Sequence, residues 1–153
     1  MYNIIVSEQI DSAQALRLDA QLCFALYSAN NMLGRAYQRV LGPLDLTYLQ
    51  YITMLVLWEE DGVRVKDLGG RLRLDSGTMT PLLKRMEAKG LLERTRSAED
   101  ERVVLIRLTR KGKTLKRRAA KVPAAVSCTF DLSIDEALSL KHLCERLVEG
   151  ASD

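Results

Sequence analysis

The chain has 153 residues, 47% of them hydrophobic and 28% charged, with a net charge of +3, the range of one compact domain of roughly 100 to 200 residues. No stretch reaches the ~18 uninterrupted apolar residues of a membrane helix, and the N-terminus lacks a basic segment followed by a long apolar core; neither a membrane span nor a secretory leader is expected, and the protein is read as cytoplasmic. Three widely spaced cysteines, Cys23, Cys128 and Cys144, fit neither a secreted disulfide framework nor a CxxC-type zinc site, which leaves a redox or buried role.

Asp11 or Ser12 can cap a first helix, along which Leu16, Ala20, Cys23, Tyr27, Asn30 and Leu33 recur at helical spacing as far as about Leu41. Gly42-Pro43 stops it. A second helix opens near Thr47 with Leu49, Ile52, Leu55, Val56 and Trp58, the last read as a core anchor, and ends in the polar turn Glu59-Glu60-Asp61-Gly62. A short helix, Val65 to Leu72, and a brief break lead to Asp75 or Ser76 as the cap of a helix running to Lys89, where Gly90 ends it. Leu91–Arg96 and Val103–Leu108 alternate apolar and charged residues around a turn-rich acidic insert and predict a two-stranded hairpin. Thr109 caps a basic helix from Arg110 towards Ala125, Pro123 to Ser133 reads as a turn, and Asp135 begins a last helix with Leu138, Leu140, Leu143, Cys144, Leu147 and Val148 on its apolar stripe.

Charge is distributed unevenly along this series. Residues 84–121 hold fourteen Lys or Arg against five acids, a local excess of nine, while the remainder is net acidic by six. Short helix, turn, longer helix and a two-stranded wing with basic flanks is the order of a winged helix-turn-helix, mainly α with a small β-hairpin. A helix fits the major groove, where base edges present distinguishable donors and acceptors, so short polar residues at its start can read sequence while cations hold phosphate. Ser76, Thr78, Thr80, Lys84 and Arg85 are the candidates there, and Arg94, Arg96 and Arg102 of the wing would lie against backbone or minor groove, where narrow A·T-rich segments attract arginine. The chain then divides into an N-terminal helix (1–45), a DNA-binding winged helix-turn-helix (46–110) and C-terminal helices (111–153), with the amphipathic ends needing a packing partner that dimerisation would supply.

The segments Val65-Lys66-Asp67-Leu68-Gly69, Leu74 through Leu92, then Arg94, Asp100-Glu101-Arg102 and Leu108-Thr109-Arg110-Lys111-Gly112 fall in the order of the MarR family of bacterial repressors, which the chain resembles over nearly its whole length. Within that family, Cys23, Tyr27, Tyr37 and Tyr48 resemble the organic hydroperoxide resistance regulators. The resemblance implies a repressor acting as a homodimer with interlocked terminal helices, bound to pseudo-palindromic double-stranded operator DNA and induced by an organic hydroperoxide. Independently of any family, two-fold symmetry predicts half-sites about one helical turn, roughly 10 base pairs, apart.

A thiol reduces a peroxide as its thiolate, and hydroxyl donors favour that anion by hydrogen-bonding it. Tyr27 lies four residues after Cys23 on the same helix face. The resemblance implies that Tyr37 and Tyr48 supply hydroxyls from the partner subunit, their rings walling the site with apolar surface. Oxidation yields a sulfenic acid that either awaits a small thiol or condenses with a second protein cysteine. By the same resemblance, to the two-cysteine branch, Cys128 is the resolving thiol, paired with Cys23 of the other subunit, and the disulfide releases DNA by displacing the winged domains. Cys144 is read as structural. His142, two residues away, points to a different helix face, so no metal or cofactor site is expected. Tyr51, Met54 and Met86 are read as core. Three rivals stay open: a regulator gated by an aromatic or phenolic ligand, a thiol peroxidase, and an architectural nucleic-acid binder without a sensor.

Overall fold

A computed structural model describes residues 12–150. The predicted first helix is two pieces: α1 (Ser12–Ala15) and α2 (Leu22–Leu41), with a 3₁₀ turn, Leu18–Ala20, between them. Asp11, the other candidate cap, lies outside the described residues. The periodicity ran through the break because no Gly or Pro marks it. What marks it is Arg17 paired with Asp19 (Nη2 to Oδ2, 2.7 Å), since side chains two residues apart do not meet on a helix. The Gln21 amide then reaches back to the carbonyls of Ala15 (2.5 Å) and Arg17 (3.2 Å).

A 3₁₀ turn, Gly42–Leu44, follows α2 and leads into α3 (Tyr48–Glu59). Thr47 caps α3 in a reciprocal capping box with Gln50, as Thr-x-x-Gln favours. β1 (Val63–Arg64), α4 (Val65–Leu72) and α5 (Ser76–Ala88) come next, then β2 (Leu92–Arg96), β3 (Val104–Leu108), α6 (Arg110–Ala119), α7 (Val122–Ser127) and α8 (Ile134–Gly150).

The wing is three strands, not two. The antiparallel sheet has the order β1-β3-β2, with Val63 opposite Ile106 and Leu92 opposite Leu108. A two-residue strand is too short to show alternation, so β1 left no sequence signal. Gly62, at φ +83, turns the chain into it and donates its N–H to Ile106 O. The basic helix also divides: Pro123 has no N–H to continue the ladder, and α6 ends at Ala119 before α7 restarts with the proline in its first turn. The predicted turn from Pro123 to Ser133 is therefore helical as far as Ser127.

The core joins α3, α4, α5, the sheet and α6 through Met54, Leu57, Leu68, Leu82, Leu83, Met86, Leu92 and Ile106, with Tyr51 and Met79 also buried. Val122 and Val126 place α7 against it. Trp58 is half-buried and anchored by a hydrogen bond from Nε1 to Gly112 O (3.0 Å). Gly112 is obligatory for a steric reason: a Cβ there would fall 2.1 Å from Leu91 O. Thr109 caps α6, its hydroxyl accepting from Gly112 N–H (3.1 Å) and donating to Gly90 O (2.6 Å). By contrast α8 has no buried residue, and Leu138, Leu143 and Leu147 along it are exposed, as are Leu22, Phe24, Met32 and Leu33 of α2. Among the described residues no single helix is long and apolar enough to cross a membrane.

Candidate nucleic-acid interface and thiol site

The helix-turn-helix is set by local chemistry at its turn. Arg73 takes the left-handed conformation (φ +53) at the end of α4, and Leu74 N–H bonds to Gly69 O (3.0 Å). Asp75 then caps α5: its Oδ1 accepts the Thr78 N–H at 2.8 Å and its Oδ2 the Thr78 hydroxyl at 2.9 Å. Those bonds hold the Asp75 carboxyl below the usual range, the Thr78 backbone bond first. The structure thus gives the Thr78 hydroxyl a role in the cap, while Ser76 and Thr80 stand exposed on a groove between α4–α5 and the wing that Arg94, Arg102 and Val104 also line.

The cations separate into two sets. Lys84, Arg85, Arg96 and Arg102 are exposed, and among the described residues their side chains make no hydrogen bond or ion pair within the chain. Arg102 is presented by the wing tip itself, where its N–H bonds to Asp100 Oδ1 (2.9 Å) and Val103 N–H to Asp100 O (2.9 Å). On α6, Lys111 donates to Lys89 O (2.7 Å), Lys116 to Trp58 O (2.9 Å) and Arg118 to Pro43 O (2.7 Å). Those acceptors lie at the ends of α5 and α3, where unpaired carbonyls and the helix dipole favour a cation, and in the 3₁₀ turn after α2. Lys113 pairs with Asp61 (3.0 Å), whose other oxygen accepts Leu108 N–H (2.7 Å). Lys89 bonds to Asp45 O and Oδ1 (2.5 and 2.9 Å), and Arg94 to Glu87 (3.0 Å). Of the fourteen bases of residues 84–121, six are tied to protein oxygens. Nothing in their spacing distinguishes the sets, because the acceptors, backbone carbonyls and the carboxylates of Asp45, Asp61 and Glu87, lie 7 to 75 residues away.

Cys23 is the second residue of α2, not the middle of a longer helix, so its N–H belongs to the first turn, which has no acceptor within the helix. It is exposed. Cys128 is also exposed, at the C-cap of α7, which packs on α2. Cys144 is half-covered on α8. Tyr37 and Tyr48 meet at 4.5 Å between ring centroids, with the buried Tyr51 ring 6.0 Å from Tyr37. Burial pushes the Tyr37 hydroxyl above its ordinary pKa, and Tyr48 and Tyr51 add to the rise. Tyr27, exposed and stacked on Phe24 (6.4 Å), shares a cleft of 680 Å³ with Tyr37, Tyr48, Asn31 and Arg35. Tyr51 was legible only as core; its contact with Tyr37 required the packing of α3 on α2.

Cys23 does not line that cleft. Fourteen residues separate it from Tyr37 on one continuous helix, about 21 Å along the axis at 1.5 Å per residue. Within one subunit the tyrosine pair and the thiol therefore cannot meet. Among the described residues no group of three or more His, Cys, Asp or Glu is placed to hold a metal ion.

Residues 35–119 match the family described as transcriptional regulator SarA/Rot. The chain is 51% identical over 123 residues to the HTH-type transcriptional regulator TtmR of Methylorubrum extorquens, covering 80% of this chain and 63% of that protein, so it spans less than two thirds of that relative. It is 43% identical over 134 residues to the organic hydroperoxide resistance transcriptional regulator of Bacillus subtilis, covering 88% of this chain and 91% of the relative. Among solved structures, reduced AbfR bound to DNA superposes with a TM-score of 0.77 at 32% identity, covering 90% and 94% of the two chains. Disulfide-formed AbfR, at the same identity and covering 91% and 92%, superposes at 0.62.

Proposed function

This chain belongs to the SarA/Rot-type, MarR-like family of DNA-binding winged-helix transcriptional regulators, and from that premise we propose that it is a homodimeric repressor whose Cys23 thiol senses organic hydroperoxides. The observation that carries the reading is the tyrosine arrangement. Tyr37 and Tyr48 are in ring contact on an open cleft, while the thiol on the same helix lies about 21 Å away. A second subunit running the other way would bring its own Cys23 to that cleft. The exposed apolar residues of α2 and α8 supply the surface such a subunit would cover.

The chemistry follows from the groups assembled. The Cys23 thiolate, at the positive end of α2 and facing the partner's phenol donors, attacks the distal peroxide oxygen; the O–O bond breaks, the alkoxide leaves with a proton as alcohol, and Cys23 becomes a sulfenic acid. The Cys128 thiolate of the other subunit then attacks that sulfur; the S–O bond breaks and the hydroxide leaves as water with the proton that Cys128 gave up on ionising, giving a disulfide. Its place at the end of α7 means that closing the bond to within the ~7 Å Cα separation of a disulfide moves α7 and the α6 ahead of it. Because α6 holds the turn after α2 and the ends of α3 and α5, that movement is passed to the winged domain and alters the spacing of the two recognition helices. On DNA, Ser76 and Thr80 read bases and Lys84, Arg85, Arg96 and Arg102 hold phosphate or minor groove; Thr78 contributes its methyl and the start of the helix. The better superposition on reduced, DNA-bound AbfR than on the disulfide form supports a DNA-competent arrangement.

The test is binding to a duplex selected by the wild-type protein, at fixed salt, before and after stoichiometric organic hydroperoxide, for wild type and Cys23→Ser, beside non-reducing gels. Release of wild type with a crosslinked dimer, and retention of Cys23→Ser, is expected. Retention of the oxidised wild type would sink the sensor and leave a ligand-gated regulator in its place.

A further inference from the structure

Glu87 is in an unfavourable position on two counts. It sits in the last turn of α5 (Ser76–Ala88), where a negative charge opposes the helix dipole, and on a helix that faces a polyanion. Its contacts account for it. One oxygen, Oε1, accepts the backbone N–H of Arg94 (3.2 Å), and Oε2 accepts Nε of the same residue (3.0 Å). Arg94 lies in β2, the edge strand of the sheet, which pairs only with β3. Glu87 therefore satisfies an outward N–H on an open strand edge and neutralises the cation beside it. Both side chains are about two-thirds shielded, at 34% and 37% exposed, so water screens this pair less than the surface pairs of the chain.

We propose that Glu87 is a positioning residue for DNA readout, a strut that sets the angle of the wing against the recognition helix, with Arg94 as its other half and not a phosphate contact. The inference rests on the DNA binding of the family and not on the redox reading. A winged helix-turn-helix must seat α5 in one groove and the wing tip, with Arg96 and Arg102, on the next, so specific binding depends on a fixed geometry between them. Binding that tracks only charge does not.

The sign of the effect makes this testable. Removing a carboxylate from a DNA-facing surface should by charge alone tighten binding. A strut predicts the opposite for the cognate sequence. Binding of Glu87→Gln, Arg94→Gln and the double variant would be measured on the duplex selected by wild type and on a scrambled duplex of equal length, with thermal melts of each protein. Expected are a loss of about tenfold on the selected duplex for each single variant, no weakening on the scrambled one for Glu87→Gln, and no further loss in the double variant on the selected duplex. Should Glu87→Gln fail to fold, Glu87→Asp, whose shorter side chain cannot hold both contacts, is expected to lose selectivity in the same direction. Equal or tighter binding of Glu87→Gln to the selected duplex overturns the strut, and so do single losses that add in the double variant. Failure of wild type to prefer any duplex over the scrambled one would sink the DNA reading itself and the strut with it.

Discussion

In α6, Lys111, Lys113, Lys116 and Arg118 each end on an oxygen of the protein; in α5 and the wing, Lys84, Arg85, Arg96 and Arg102 end on none among the described residues. The six bases of α6 stand without an acid, whereas α5 and the wing, residues 76–108, mix seven bases with five acids; what decides a cation's fate is what lies within reach, not the local charge. Lys111 and Lys116 of α6 face the C-terminal ends of α5 and α3, which carry unpaired carbonyls and partial negative charge, and Arg118 reaches the turn after α2. Lys84 and Arg85, towards the C-terminal end of α5, and Arg96 and Arg102 of the wing are exposed and, among the described residues, reach no protein oxygen. A local positive excess is thus two devices, one holding the domain together and one left for a polyanion.

The sharpest way to break this division is at Gly112, where α6 touches the start of the wing. Gly112→Ala would place a methyl 2.1 Å from Leu91 O, and a loss of about 3 kcal/mol or more is expected in urea unfolding, since backbone must move; a near-neutral result would mean α6 is not held where its bonds require. Next in size, Arg102→Ala is expected to lower the slope of log affinity against log salt by about 0.9 while leaving unfolding within about 0.5 kcal/mol of wild type. Lys116→Met tests the other side: a stability loss of about 0.5–1.5 kcal/mol with an unchanged salt slope. A reduced slope for Lys116→Met would move α6 into the DNA-facing set.

The smallest effect concerns pH. Burial raises the pKa of Asp61, but the hydrogen bond from Leu108 N–H and the bond and charge of Lys113 outweigh it, and the group titrates below its ordinary value. A carboxyl with a depressed folded pKa contributes stability that is present above its unfolded pKa, about 3.9, and lost as pH falls through the folded value. Wild type is therefore expected to lose stability more steeply than Asp61→Asn between about pH 4 and the acid limit. Parallel pH profiles would remove Asp61 from the α6 clamp.

Much of the fold was legible because it is governed by neighbours in sequence. Asp75 and Thr109 cap where they were expected to, α3 opens after Thr47 as expected, Gly90 ends α5 at positive φ, and the 3.6 and 2 periodicities separate helices from wing strands. The breaks after Ala15 and at Pro123, and the two-residue β1, escaped because each depends on a side chain reaching back, a restart after a lost hydrogen bond, or a strand too short to alternate. At the thiol site the residue types were legible, and so was the 14-residue separation of Cys23 from Tyr37 along one helix; the ring contacts of Tyr37 with Tyr48 and with Tyr51 came from packing. What the sequence by itself determined is the set of local elements, the helix-turn-helix order and the supply of cations and thiols, since capping, turn chemistry and hydrophobic period act over a few residues. Only the tertiary structure decided which cations remain available to a partner, because a cation's acceptor is whichever carbonyl the fold brings within 3 Å, and those carbonyls lie 22 to 75 residues away.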